Sequence, residues 1–456
     1  MTRAIMLGDR RASEWIRLVL LSIAPLLAVL AFAGDAGAVP AFAAQTGQAC
    51  QTCHVGGFGP QLTPYGRNFK LNGYTLRSGA INVPLAAMIE DGYVHTGKRQ
   101  PEPPAPGFHD NDNFALDQLS LFLAGGVGSH LGGFVQGTYD GVAKAWSWDN
   151  LDLRAVTKLA VGGADVVLGA SFNNSPTVQD PWNTLPAWSF PYSSSDQAPS
   201  PAAAPLISGA LAQETLGLTA YAWINSELYL EAGAYGSPSR HFLSSLGADP
   251  TSPGDIDGIA PYARAAIQKS VGPHTLEAGL FFLQAKIFPR GDHSAGVADS
   301  FRDLGFDASD HVSLANGDVV TLNLRYVHER QSLDASQALG LAANRRNTLR
   351  DLRVDVSYYW RNTIGGTVQV FDTSGSADPT LYADNRTFKP QSTGVMFQID
   401  GTPFGGASQP HRRINLRAGL QYILYTRFNG AHADFDGVGT KASDENALRV
   451  FTWFAF

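Results

Sequence analysis

The chain has 456 residues, with 33 Lys and Arg against 40 Asp and Glu and a formal net charge of −7. That balance argues against a nucleic-acid partner and suits a cationic one. Glycine (48 residues) and aromatics (11%) are plentiful and methionine (4) is scarce, which points away from a helical protein and towards β-structure.

The first segment reads as an export signal. Arg3, Arg10, Arg11 and Arg17 make a basic start, and Leu18 to Ala33 is apolar. Ala36-Gly37-Ala38 offers a small-x-small cleavage site, with Ala41-Phe42-Ala43 a second. The apolar run is short for a permanent membrane helix, contains Pro25 and is not followed by a charged stop. Removing residues 1–38 takes away four arginines and three acids, leaving 29 basic against 37 acidic side chains, a net charge of −8.

Next comes Cys50-Gln51-Thr52-Cys53-His54, and these are the only two cysteines of the chain. C-x-x-C-H is the attachment signature of a c-type haem. Two thiols three apart each bond one vinyl group of the porphyrin, and the adjacent histidine is held under the iron as its proximal ligand. A redox dithiol would want a βαβ setting, and a zinc site would want two further ligands at matching spacing. Neither is visible in the sequence. Covalent haem attachment belongs outside the cytoplasm and so agrees with the export signal.

From residue 86 onwards, segment after segment alternates with period two. Leu352, Val354, Val356, Tyr358 and Trp360 alternate with Arg353, Asp355, Ser357, Tyr359 and Arg361. Leu416, Ala418, Leu420, Tyr422 and Leu424 alternate with Asn415, Arg417, Gly419 and Gln421. Strands are predicted over 86–97, 113–125, 130–140, 149–160, 164–173, 211–224, 227–236, 258–270, 274–288, 301–312, 318–331, 348–361, 364–373, 392–401, 413–428 and 447–456. The last strand alternates into a terminal Phe456, as outer-membrane barrels do.

Periodicity alone does not separate a soluble sandwich from a membrane barrel, but loop lengths do. Long connections follow odd strands and include 174–210, 237–257, 332–347, 374–391 and 429–446, while most connections after even strands are short. A membrane barrel sorts its loops this way, with lipid on the apolar face and a wet lumen on the polar one. The expected fold is therefore all-β: an antiparallel outer-membrane barrel of about 16 strands, with a small N-terminal c-type haem segment lodged at or in the lumen. The expected domains are a signal peptide (1–38), a monohaem segment (39–85) and a transmembrane barrel (86–456).

Ala44-Gln45-Thr46-Gly47, the haem motif, Gly59-Pro60-Gln61-Leu62 and Gly66-Arg67-Asn68-Phe69-Lys70-Leu71-Asn72-Gly73-Tyr74 together resemble the haem region of the fused outer-membrane cytochrome–porins of iron-oxidising bacteria. The close match covers residues 40–75. The resemblance implies one haem c, oxidation of extracellular Fe(II), and transfer of the electron to a periplasmic cytochrome c across an outer-membrane lipid barrier. A donor other than iron, or a diffusion porin with a haem-bearing plug, are the alternatives.

Cys50, Cys53 and His54 are the expected haem residues, with His54 the proximal iron ligand. Met88, at the start of the first strand, is the candidate distal ligand, with His95 next and His109 and His130 the other nearby histidines. Arg67 and Lys70 are candidates for the haem propionates, and Tyr65, Phe69 and Tyr74 for packing on the porphyrin. In the outer loops, His432, Asp434 and Asp436 alternate, so an extended chain would aim all three one way. His109, Asp110 and Asp112, and Asp292 with His293, are the other acidic clusters. No acid–base triad stands out, and one-electron transfer requires none.

Overall fold

The structure is a computed structural model and describes residues 41–78, 84–406 and 414–456. The expected signal peptide lies outside those residues. The described residues form one compact unit, so the N-terminal segment and the barrel are packed together.

The wall is one closed antiparallel sheet. Its strands are β1 (Leu85–Thr96), β2 (Asn113–Val127), β3 (Leu131–Asp140), β4 (Ala145–Val161), β5 (Ala164–Asn173), β6 (Leu216–Ile224), β7 (Leu228–Gly236), β8 (Gly254–Ile256), β9 (Ala260–Val271), β10 (His274–Pro289), β11 (Asp299–Ser313), β12 (Val319–Ser332), β13 (Arg346–Trp360), β14 (Ile364–Gly375), β15 (Ser392–Gly401), β16 (Asn415–Arg427) and β17 (Ala447–Ala455). Closure comes from β1, which pairs with both β2 and β17, for example Met88 opposite Ser120 and Ala455. β8 is a three-residue addition against β10, inside a segment expected to be loop. Without it the wall has the expected sixteen long strands.

Side chains sort by face as the alternation requires. Outward positions such as Leu121, Leu218, Ile267 and Ile399 are more than half exposed, a band suited to lipid. Inward positions such as Asp152, Ser171, Glu277, Asp307 and Arg417 are buried. Among the described residues no helix is long and apolar enough to cross a membrane, so crossing falls to the strands. β1 begins and β17 ends at the rim of the short turns 128–130, 162–163, 225–227, 272–273 and 361–363. In outer-membrane barrels that rim faces the periplasm.

The lumen departs from the expectation. A sixteen-strand barrel normally leaves a channel, yet this one is filled by segment 41–78 and by residues 174–215. The latter were expected as a large outer loop, with the sixth strand starting at 211. Instead they fold inward and β6 begins at Leu216. Leu185, Leu206, Ile207 and Leu211 pack there against Tyr235, Tyr262, Phe281, Leu283, Ala285, Ile287 and Val327 of the wall. Burying each such side chain is worth about 1.5–3 kcal/mol, enough to draw the loop inside.

Wall charges expected to line a wet pore instead clasp this filling. Arg154 pairs with Asp152 at 2.9 Å and donates to the carbonyls of Lys70 and Gln179. Arg449 bridges Glu90 and Asp117 at 2.6 Å each and also donates to Ser193. Arg325 pairs with Asp351 at 2.9 Å and donates to Ser189. Arg264 holds Asp307, Glu277 and Asp180 at 2.7, 3.1 and 3.5 Å. A buried pair that loses one partner leaves an uncompensated charge, so these clusters fix the filling in one position.

Candidate functional site: the C-x-x-C-H turn at the inner rim

Segment 41–78 contains α1 (Ala41–Thr46), α2 (Cys50–Cys53) and α3 (Pro64–Leu71). α3 starts where its sequence directs: Thr63 caps it by accepting from Gly66 N, and Pro64 opens the first turn. α2 and α3 are locked to each other. Thr63 N donates to Cys53 O at 2.9 Å, and its hydroxyl donates to Thr52 O at 2.5 Å.

The barrel wall grips the turn at its short-loop rim. Asn362, in the turn after β13, donates to Gln51 O and His54 O at 3.0 Å and accepts from Gly56 N at 2.7 Å. Arg417, paired with Asp400 at 2.9 Å, donates to Phe58 O at 2.6 Å. Asn415 donates to Gly57 O at 3.3 Å, and the Phe58 and Trp453 rings meet at 4.8 Å. Val55 packs on Val319 and Tyr359. Gly56, at φ 73°, has no room for a side chain, because a Cβ would lie 2.8 Å from the Tyr359 ring.

Cys50 and Cys53 are half-buried and not bonded to each other. Burial pushes the Cys50 thiol up, and burial with the nearby Cys50 pushes Cys53 up to about 12. Burial lowers His54 to about 4, so its imidazole is neutral at pH 7, the form that ligates iron. The His54 Nδ1 finds no protein partner. On the neighbouring helix, buried Arg67 leaves Nε and Nη2 without an acceptor. Unpaired thiols one helical turn apart, a neutral histidine beside them and an open guanidinium on the adjoining helix fit a haem c.

The other expected residues are placed as follows. Met88 is buried on the inward face of β1, not lipid-facing. It lies opposite Ala455, which in turn lies opposite Asn415, the side chain that faces the Cys50 thiol. His95 is seven residues further along β1, at the outer end, with its Nδ1 2.7 Å from Asp112 Oδ1. At roughly 3.3 Å per residue it stands about 23 Å up the strand from Met88, at the rim opposite the one that holds the C-x-x-C-H turn. His130 is exposed in the inner turn 128–130 and holds Val156 O. Lys70 is already committed, donating to Val178 O and Asp180 O at 2.7 and 2.9 Å. Tyr74 donates to Asp152 at 2.7 Å, and Phe69 and Tyr74 pack with Phe42 rather than standing free. Tyr65 is 38% exposed.

The outer acidic clusters do not converge. Residues 432–440 form turns, with Asp434 at φ 50°, so the expected extended run is absent. Asp434 pairs with Arg386, Asp436 accepts from Val438 and Thr440 N, and His432 holds Thr426 O. Asp110 pairs with Arg99, and Asp292 caps Ser294. Among the described residues no group of three His, Cys, Asp or Glu side chains is set to hold a metal ion. What sequence reading missed is an acid-lined cavity of about 240 Å³ in the outward half of the barrel. Asp117, Asp140, Asp149 and Asp196 line it with serine, threonine and glutamine side chains. Its fourth aspartate comes from the infolded loop, so no local sequence signal marks it.

No protein-family model and no curated protein matches the chain. Among solved structures it is similar to in-vitro folded OmpT of Vibrio cholerae, at 9% identity and a TM-score of 0.43, covering 82% of this chain and 96% of that one. It is also similar to an anion-selective porin from Comamonas acidovorans (13%, 0.45, 82% and 98%) and to OprB of Pseudomonas putida (14%, 0.43, 82% and 93%). The wall itself defines the class: a closed antiparallel barrel, apolar outside, polar inside and short-turned at one rim. The protein is an outer-membrane β-barrel.

Proposed function

We propose that this barrel is an electron conduit carrying one covalently attached haem c, which takes electrons from extracellular Fe(II) and passes them to a periplasmic cytochrome. The observation that supports it best is the C-x-x-C-H turn, held at the inner rim of a filled barrel by Asn362 and Arg417. Cys50 and Cys53 would hold the porphyrin and His54 its iron, with Met88 the distal ligand. The group supplies one-electron chemistry, so no general acid or base is required of the protein.

The chain's own residues position and seclude. Asn362 fixes the backbone on both sides of Cys53, the Phe58 and Trp453 rings pack on each other, and burial keeps His54 neutral. The half-buried thiols lie at the rim where a soluble cytochrome can dock. At the opposite end lies the cavity lined by Asp117, Asp140, Asp149 and Asp196, of which Asp117 is already paired with Arg449. Ferric iron precipitates at neutral pH, so an outer-membrane site keeps the product outside the cell.

The porin-like wall favours a second reading, a diffusion channel with a haem-bearing plug. The infolded segment and loop weigh against it, and single-channel conductance in planar bilayers separates the two. The conduit is tested by mixing oxidised, purified protein anaerobically with Fe(II) and following haem absorption, with the Cys50→Ala, Cys53→Ala protein as the haem-free blank. Rapid reduction is expected. No reduction at any accessible pH removes iron as donor, and a wild-type protein without a covalent haem stain removes the conduit.

A further inference from the structure

Two buried groups with open hydrogen-bonding capacity lie on the N-terminal segment and on the wall it packs against. Arg67 follows Gly66, the point at which α3 presses on the Cys53 carbonyl. It is 4% exposed, and its Nε and Nη2 find no acceptor. Glu277 and Asp180 bear on its charge, but Arg264 already holds both. His311, on β11, is also 4% exposed. Its Nε2 lies 3.1 Å from Ser313 Oγ, while its Nδ1 has no partner. Directly across from His311 stands Thr321, which accepts from Gln61 of the segment at 3.2 Å. Arg67 is the charge that bears on the His311 ring.

A buried guanidinium with open N–H groups is costly unless an anion answers them. The planar fork of arginine matches a carboxylate, and a neutral imidazole whose Nε2 accepts from a hydroxyl presents an Nδ1–H donor. Lys70 is spent on backbone carbonyls and cannot serve. We infer that Arg67 and His311 form a carboxylate-binding pair that takes one propionate of the haem, so that the barrel wall, and not the segment alone, positions the cofactor and sets its potential. This rests on the haem reading above. Both are positioning residues, since neither touches the iron.

The experiment uses full-length protein in detergent, comparing wild type with Arg67→Gln, Arg67→Lys, His311→Phe and the Arg67→Gln, His311→Phe double variant. Haem staining and the reduced absorption spectrum report attachment and iron ligation. Spectroelectrochemistry gives the midpoint potential, and resonance Raman reads the propionate bending modes. Removing a cation beside the cofactor stabilises the oxidised state, so Arg67→Gln should lower the potential. The expected drop is at least a tenfold change in the reduction equilibrium, about 59 mV for a one-electron couple. Arg67→Lys should recover part of it. His311→Phe should shift in the same direction, and the double variant should fall short of the sum, because both groups share one carboxylate. If Arg67→Gln fails to assemble, Arg67→Lys and His311→Phe still decide. Unmoved potentials and propionate modes in haem-loaded variants overturn the pair and leave the conduit standing. Absence of haem from the wild type overturns both.

Discussion

Gly66→Ala sets two physical rules against each other. Gly66 lies inside α3, where alanine gains about 1 kcal/mol over glycine from helix propensity. Were the site open, the variant would be more stable. In the structure a Cβ at Gly66 would overlap the Cys53 carbonyl oxygen and stand 3.1 Å from both the carbonyl carbon and a Leu62 methyl. The obstacle is backbone and cannot rotate away. That carbonyl also accepts from Thr63 N at 2.9 Å, so it is held in place. Relief requires α3 to retreat from α2 by roughly an ångström, and overpacking of this kind costs about 1–3 kcal/mol. Because the obstacle is a fixed backbone atom, the upper part of that range applies, about 2–3 kcal/mol, and the net prediction is a loss of about 1–2 kcal/mol of docking within the segment. The readout is the yield of haem-stained protein and the temperature at which the segment becomes protease-sensitive in folded barrels. Wild-type yield with an unchanged or raised temperature would refute the tight contact, and with it the idea that α3 braces the C-x-x-C-H turn.

Met88→Ala should change the absorption spectrum of the oxidised haem while leaving attachment intact, since Met88 faces inward on β1, two strands from the Asn415 that faces the Cys50 thiol; an unchanged spectrum assigns the sixth position elsewhere. Burial, with the Arg154 charge, lowers Lys70 to about 7 from 10.5. Between those values the released segment binds a proton there that the docked segment lacks, so docking strengthens as pH rises from about 7 towards 10.5. Thermal release measured at pH 7, 8 and 9 should show that rise in wild type and a flat profile in Lys70→Met, and a falling wild-type profile would contradict it. Protease added to intact cells should cut the outer segments 97–112 and 237–253 and spare 174–215, whose residues 174–185 are buried; cleavage there in folded protein would mean the loop does not occupy the lumen.

The alternation of Leu352 to Trp360 with Arg353 to Arg361, repeated sixteen times with long and short connections in turn, is local information. A strand exposes its faces in strict alternation and a turn's length is written in its residues, so the barrel and its two faces were legible. Boundaries moved by a few residues, and only β6 moved by five, because 211–215 belong to the infolded loop. The C-x-x-C-H turn is likewise local, five adjacent residues long. What fills the lumen was not legible. One signal existed: β10 places Phe281, Leu283, Ala285 and Ile287 on the face that should be wet. Apolar side chains there need a cover, but nothing in the strand names Leu206, Ile207 and Leu211 as that cover. The partners of Lys70, the place of His95 at the outer end of β1, and the open groups of Arg67 and His311 were equally hidden. These depend on which strands lie across the barrel from one another and on which loop turns inward. That choice is made by summed burial and ion pairing over residues hundreds of positions apart, which only the closed tertiary structure brings together.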